Sequence, residues 1–317
     1  MELRHLRYFI AVAEEEHITR AAERLGMQQP PLSQRIKAIE RELDVQLFRR
    51  KARGVELTDA GRAFLDDARA ILARLDDAFE TSRRTARGEQ GQIRVGVTPT
   101  GAFHPFVPRV IRAYREAFPL VSMTLEERLS FELIEHLRNK QIDAAFLRTP
   151  VARQDDLVIN ALLDEPMVAA LPSMHALAQS QGGRDTAISI KALAGETFIV
   201  YGRPREPGQH GVGQYEAMIA ACHAAGFSPR VGQDAPSIVS TLGLVAAGLG
   251  ISFVPVSLQR MNMDGVVYRH VKGPLQPKAI LNLASRRGNL SAIVRHFLNL
   301  VKREAGTFHV DRGKASK

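Results

Sequence analysis

The sequence predicts a chain of two parts. A mainly α N-terminal winged helix-turn-helix with a long linker helix comes first, then an α/β C-terminal region of two Rossmann-like lobes. Three observations carry that prediction. Apolar residues recur at three- and four-residue steps as far as Phe79. After Ile93, short β-rich runs alternate with helical ones. The two regimes meet in Thr85 to Gln92, where Gly88 and Gly91 mark a hinge. At 317 residues and 45% hydrophobic, the chain has room for two or three domains with real cores.

Leu3, Leu6, Phe9, Ile10 and Ala13 set one apolar face of a first helix over residues 3 to 16. A second, short helix follows, with Thr19 as its expected N-cap and Gly26 as its left-handed stop. Pro30 and Pro31 suit the first turn of a third helix, where a missing N–H costs nothing. That helix turns Leu32, Ile36, Ile39 and Leu43 inward. Ser33, Gln34, Arg35, Lys37 and Arg41 lie on or beside its other face. Two short helices joined by a tight turn make a helix-turn-helix. Gly54 and the strand-like Val55-Glu56-Leu57 then read as a wing hairpin. Thr58 is placed to cap a long helix, with Asp59 favourable to its dipole. Phe64, Ala68, Ile71, Leu75 and Phe79, with Leu72 beside them, form a seam for a partner helix.

The second part opens on a strand over residues 93 to 97. Residues 105 to 117 read as a helix ended by Pro119, 122 to 127 as a strand, and Ser130 as the cap of a helix over 131 to 140. Further strands are expected at 143–147, 157–163, 167–171, 198–201, 251–254, 266–271 and 280–284. Helices are expected at 213–225, at 238–247 after Ser237, and from Ser291 to 302. Beyond Glu304 the residues are polar, small and basic, which predicts a disordered tail. About 210 residues of alternating strands and helices is large for one sheet and fits two lobes with a cleft between them.

Composition narrows the function. The net charge of +9 invites an anionic partner. Through residue 62, however, 12 basic side chains stand against 10 acidic ones, so local clustering is the better guide. Arg49, Arg50, Lys51 and Arg53 fall together with no acid between them. The basic C-terminal half points, more weakly, to an anionic ligand. A single cysteine, Cys222, rules out a disulfide framework and a cysteine-based zinc site. Acidic Glu14, Glu15 and Glu16 stand where a signal peptide needs small residues, so a cytoplasmic location is expected. The longest apolar stretch, around Leu242 to Val256, is broken by Gly243, Gly248, Gly250 and Pro255 and cannot span a membrane. An enzyme or a plain small-molecule sensor is the alternative class. His104, His136, His175, His210, His223, His270 and His296 are scattered without metal-ligand spacing. Gly208-Gln209-His210-Gly211-Val212-Gly213 fits no phosphate-loop or dinucleotide fingerprint and reads as a surface loop. Cys222, among alanines in a helix, reads as buried. No cofactor is expected.

Five motifs stand in order along the first part: Leu3-Arg4-His5-Leu6-Arg7-Tyr8-Phe9, Thr19-Arg20-Ala21-Ala22-Glu23-Arg24-Leu25, Gln29-Pro30-Pro31-Leu32-Ser33-Gln34-Arg35-Ile36, Leu47-Phe48-Arg49-Arg50 and Leu57-Thr58-Asp59-Ala60-Gly61. At these spacings the chain resembles the LysR-type transcriptional regulators. The likeness continues through Ile93-Arg94-Val95-Gly96, Ile142-Asp143-Ala144-Ala145 and the glycine-rich run Gly243 to Ile251, covering all but the tail. Pro30-Pro31-Leu32-Ser33 and the segment Leu244 to Pro255 are most similar to the branch that senses aromatic acids and their ring-cleavage products.

The resemblance implies a DNA-binding domain at 1–58 and a linker and dimerisation helix at 59–87. It implies a periplasmic-binding-protein-like effector domain at 88–304, with lobe I at 93–165 and 269–304, lobe II at 166–268, and a tail at 305–317. It further implies a bacterial regulator that is not an enzyme, working as a homodimer or homotetramer. Its partners would be operator DNA, a small-molecule effector of organic-acid type, and RNA polymerase if it activates. Gln29, Pro30, Ser33, Gln34 and Arg35 are the expected contacts in the major groove, and Arg53 the wing contact. Many relatives carry arginine then glutamine where this chain has Gln34 then Arg35, which rotates the charge by about 100° around the helix. In the effector domain Thr100 and Ser130 match positions that bind effector carboxylates, beyond the carboxyl ends of strands. Gly101 and an apolar wall from Phe103 accompany Thr100, and Tyr201, Gly202 and Arg203 stand across the cleft. Arg148, near the crossover between lobes, is a second candidate for an acid group. Relatives often carry serine or threonine with phenylalanine where this chain has Gly202-Arg203-Pro204, which favours a more acidic or larger ligand.

Overall fold

The computed structural model describes residues 1–148, 156–179, 187–203, 213–288 and 290–315. It divides into two compact units, Met1–Thr85 and Ala86–Lys317.

In the first unit α1 (Leu3–Glu15), α2 (Ile18–Arg24) and α3 (Gln29–Leu43) bury Phe9, Val12, Ala21, Leu32 and Ile39 against one another. The wing is β1 (Phe48–Lys51) and β2 (Gly54–Leu57), antiparallel, with Arg49 opposite Glu56 and Arg50 opposite Val55. α4 (Asp59–Arg87) follows, and the Thr58 hydroxyl accepts from the Gly61 N–H at 2.9 Å, the expected cap. Phe9 joins wing and linker: its ring lies 5.3 Å from Phe48 and 4.9 Å from Phe64. Thr19 does not cap α2. The helix starts two residues earlier than a Thr19 cap requires, at Ile18, with His17 as its cap, and Thr19 is exposed in its first turn. The cause is the turn before it. Glu16 is left-handed (φ 49°), and its carbonyl accepts from the Val55 N–H at 2.9 Å, which fixes where the helix begins. Gly26 (φ 63°) ends α2 as expected.

In the second unit β3 (Gln90–Val97) lies parallel between β4 (Leu120–Glu127) and β5 (Ala144–Leu147). α5 (Pro99–Ala102), α6 (Phe106–Ala117) and α7 (Ser130–Arg138) follow the strand ends. Next come β6 (Leu157–Pro172), α8 (Ala176–Gln179), β7 (Ile188–Ser189), β8 (Thr197–Tyr201), α9 (Gly213–Ala224), β9 (Arg230–Ala235), α10 (Ile238–Ala246) and β10 (Ser252–Pro255). β11 (Val266–Lys272), β12 (Lys278–Arg286) and α11 (Ala292–Ala315) complete the chain. The main sheet runs β4-β3-β5-β12-β6-β11-β7, with β10 also on β6, while β8 pairs in parallel with β9. Lobe I packs around Val95, Phe106, Tyr114, Phe146 and Phe297; lobe II around Phe198, Met218, Ile251 and Phe253.

Three expectations change. The strands expected at 157–163 and 167–171 are one strand, β6, of 16 residues that serves both lobes. Asp164-Glu165-Pro166 breaks its apolar pattern without breaking its pairing, because β12 runs beside it from Pro166 to Leu157. β11 belongs wholly to lobe II. Val266 to His270 pair with the lobe II half of β6, and Val271 and Lys272 with β7, so the return to lobe I falls after Lys272 rather than at 269. The tail expected after Glu304 is helical to Ala315. Leu300, Val301, Ala305 and Phe308 continue its apolar stripe at three- and four-residue steps, and all four pack on the lobe I core. The surface loop expected at 208–213 lies, up to Val212, outside the described residues.

Candidate functional site

Two surfaces bring the sequence candidates together. On the first unit, α3 buries Leu32, Ile36 and Ile39. That leaves Gln29, Pro30, Gln34 and Arg35 exposed and Ser33 partly so. The wing sorts its own cations. Lys51 and Arg49 both pair with Glu56 and hold its carboxyl below the usual range. Arg50 and Arg53 are exposed and make no ion pair among the described residues. Gly54 closes the wing with φ 111°, and a Cβ there would stand 2.3 Å from the Glu16 carbonyl oxygen. A helix with an exposed polar start beside a basic hairpin suits a duplex: base edges for the helix, phosphates for the wing. On α4, Phe64, Leu65, Ala68 and Leu72 pack on the unit's own core, while Ile71 and Phe79 stay 47% and 52% exposed. The predicted seam is thus divided, and its later part has no cover within the unit.

The second surface lies where β3, β4 and β5 end in lobe I. Thr100 and Gly101 sit buried on α5, and Phe103 is exposed just beyond it. Ser130 is the first residue of α7, not its cap. Leu129 occupies the cap position, and its N–H donates to Glu132 at 2.9 Å, which leaves the Ser130 hydroxyl for other partners. Arg148 ties these elements together. Its backbone N–H donates to Ser130 Oγ at 3.4 Å, Nη2 to the Thr100 carbonyl at 3.4 Å, and Nη1 to the Ala279 carbonyl at 2.7 Å. Across the cleft, Tyr201 is 8% exposed in the lobe II cluster that Leu129 of lobe I packs against. Burial pushes its phenol up to about 12, and Glu127 and Glu132 of lobe I add to the rise. Gly202 follows with φ 74°. Arg203 is exposed and lies 3.9 Å from Asp234, so its charge is partly answered within lobe II. A cavity of about 460 Å³ opens beside Arg148, lined by Gly213 and Glu216 of α9 and by Pro277 and Ala279 at the return to lobe I.

Sequence reasoning missed the centre of this region. Glu165 is fully buried. One of its oxygens accepts from Arg148 Nη2 and lies 3.9 Å from His104 Nε2; the other accepts from the Ser257 N–H at 2.6 Å. Arg148 and His104 belong to lobe I, whereas Ser257 follows β10 of lobe II. Burial pulls the Arg148 pKa down while Glu165 opposes it, and a guanidinium there stays charged. Among the described residues Thr98 Oγ1, Arg148 Nε and Ser257 Oγ are buried without a hydrogen-bond partner. The available signal was an acid followed by proline inside an apolar strand, since a carboxylate is rarely buried unpaired. Among the described residues no group of three or more His, Cys, Asp or Glu side chains could hold a metal ion, and no helix is long and apolar enough to cross a membrane.

Comparison with known proteins fits both surfaces. Residues 3–62 match the bacterial regulatory helix-turn-helix proteins of the lysR family, and residues 86–306 match the LysR substrate binding domain. The chain is 39% identical over 301 residues to the HTH-type transcriptional regulator AlsR of Bacillus subtilis, covering 95% of both chains. It is 35% identical to the HTH-type transcriptional regulator CatR of Pseudomonas putida, covering 96% of this chain and all of CatR. Full-length CbnR complexed with its target DNA superposes with a TM-score of 0.81 at 29% identity, over 96% of this chain and all of that one. With matched models at both ends and relatives matched along nearly their whole length, the chain belongs to the LysR family: it is a DNA-binding transcriptional regulator, not an enzyme, whose activity a small-molecule effector modulates.

Proposed function

We propose that an organic acid binds between the lobes and that its carboxylate meets Thr100, Gly101 and Ser130, with Phe103, Arg148, Tyr201 and Gly202 around it and Arg203 at the rim. One observation carries the reading: the Ser130 hydroxyl is not spent on its helix, and Arg148 gathers it with Thr100 at the ends of adjacent strands. Buried donors that find no partner among the described residues, Thr98 Oγ1 and Arg148 Nε, are what an acid would satisfy. Gln29, Pro30, Ser33, Gln34 and Arg35 face the operator's bases and backbone, and Arg53 grips it from the wing. The uncovered part of the α4 seam joins two copies into a homodimer, the building block of a homotetramer. The regulator works in the cytoplasm, with RNA polymerase as a further partner where it activates.

Thermal unfolding of the full chain against aromatic acids, their ring-cleavage products, other dicarboxylates, amino acids and sugars tests the ligand class. An acid at one hundred times its Kd stabilises by about 2.7 kcal/mol, or roughly 5–10 °C in a domain of this size. That shift should vanish in Thr100→Ala and Ser130→Ala. A panel without response, or a hit indifferent to both substitutions, sinks the reading.

A further inference from the structure

The end of α11 reaches beyond the closing of the lobe I core. Phe308 lies 5.7 Å, ring to ring, from His104 and 5.5 Å from Phe106. Arg109 of α6 holds that turn in place. Its Nε donates to Glu304 at 3.0 Å, its Nη2 to the Thr307 hydroxyl at 3.2 Å, and its guanidinium stands 5.9 Å over the Phe308 ring. His104 itself is fully buried. Its Nδ1 accepts from the Phe106 N–H at 3.2 Å, which leaves Nε2 as the atom that faces Glu165. Glu165 then divides its two oxygens between the lobes.

We propose that the Glu304–Phe308 turn is a positioning element for the effector cleft. Phe308 sets the pose of His104, and His104 with Arg148 fixes the rotamer of Glu165. The second oxygen of Glu165 then holds lobe II through the Ser257 N–H. A glutamate side chain turns about three bonds, so a carboxylate can tie two lobes only if one oxygen is pinned first. Arg148 does that from lobe I by a hydrogen bond, and His104 Nε2, 3.9 Å from the same oxygen, backs it in a dry site where each polar contact counts for more than it would in water. The terminal turn thereby sets how firmly the lobes are joined. The consequence for effector response rests on the cleft reading above; the tie itself does not.

Hydrogen exchange on the full-length chain, without ligand, reads the tie at the Ser257 amide. Phe308→Ala and His104→Leu should each speed exchange there at least tenfold, with the β3–β4 pair unchanged and Phe308→Tyr close to wild type. His104→Leu keeps apolar volume behind Phe308, so it tests the tie even if Phe308→Ala loosens α11. Faster exchange confined to residues 104–110 and 300–308, with Ser257 at its wild-type rate in both variants, would overturn the proposal and leave the turn as local packing. A silent acid panel in the wild type would remove the cleft reading while this measurement still stands.

Discussion

Replacing Glu165 with leucine should be among the most damaging single changes in the effector unit. It leaves Arg148, 1% exposed and permanently charged, without its counter-ion, and it strands the Ser257 N–H. Removing one partner of a buried pair costs about 3–5 kcal/mol, and an orphaned buried N–H adds about 1–3. A loss of roughly 4 kcal/mol is therefore a conservative figure. At about 2–4 °C per kcal/mol for a unit of this size, the melting temperature should drop by roughly 8–16 °C. Exchanging both partners for apolar residues of similar volume is often nearly neutral. Glu165→Leu with Arg148→Met should thus recover most of the loss, so that the double variant is far more stable than the sum of the two single losses. Calorimetry of the full chain, following the transition of the larger unit, makes the measurement. A single variant that melts within about 2 °C of wild type, or a double variant as unstable as the sum of the singles, would refute the reasoning.

Three further outcomes are expected. Gly54→Ala forces a Cβ to within 2.3 Å of the Glu16 carbonyl at a left-handed φ, so the wing should deform at a cost of about 1–3 kcal/mol and operator binding should weaken while the effector unit melts as before. Arg53→Ala should weaken operator binding about equally across sequences and reduce the slope of log K against log salt by about one; a change confined to certain bases would move Arg53 from phosphate to base contact. Burial raises the Tyr114 and Tyr201 phenols to about 12, above their unfolded value near 10. A raised acid favours its neutral form in the fold, so this contribution is whole below pH 10 and lost as pH rises towards 12. The urea midpoint should fall across that window, and Tyr114→Phe should make the fall shallower.

Legibility in the sequence followed physical type. Elements whose apolar residues repeat at one period were readable: α1, α3, α4 and α6 sit where three- and four-residue steps put them. So were stops that need a special backbone, such as Gly26 and Gly54. β9, Arg-Val-Gly-Gln-Asp-Ala, was not, because it is largely exposed at a sheet edge and carries almost no apolar pattern. Thr19 and Ser130 show a different limit. Both have the right chemistry for a cap, but an earlier residue took the cap in each case, His17 and Leu129, and no local signal separates the positions. The tail failed as a prediction because composition outweighed spacing. Ala305 and Phe308 fit the stripe of α11, yet the small and basic residues around them read as disorder. The positions of Thr100, Ser130, Arg148 and Tyr201 in the fold were legible, while the contacts of Glu165, His104 and Ser257 were not. The first set lies at strand ends and helix starts, which sequence can place; the second exists only through contacts between distant segments.

The shared strand shapes how such a regulator can move. β6 belongs to both lobes, and β12 pairs with it across the boundary with one register shift, between Leu281 and Asn282. Relative motion of the lobes must therefore bend two paired strands near Glu165 rather than slide one lobe over the other. The Glu165 tie sits at that bend, so its length changes little as the lobes rotate about it. Coupling energies between sites are typically about 1–3 kcal/mol, and stranding the buried Ser257 N–H by parting the lobes would consume about that much. An effector of ordinary strength then works with the tie intact. It selects among lobe angles that all keep Glu165 bonded on both sides, and the stiffness of the pivot, set in part by His104 and Phe308, limits how far those angles spread.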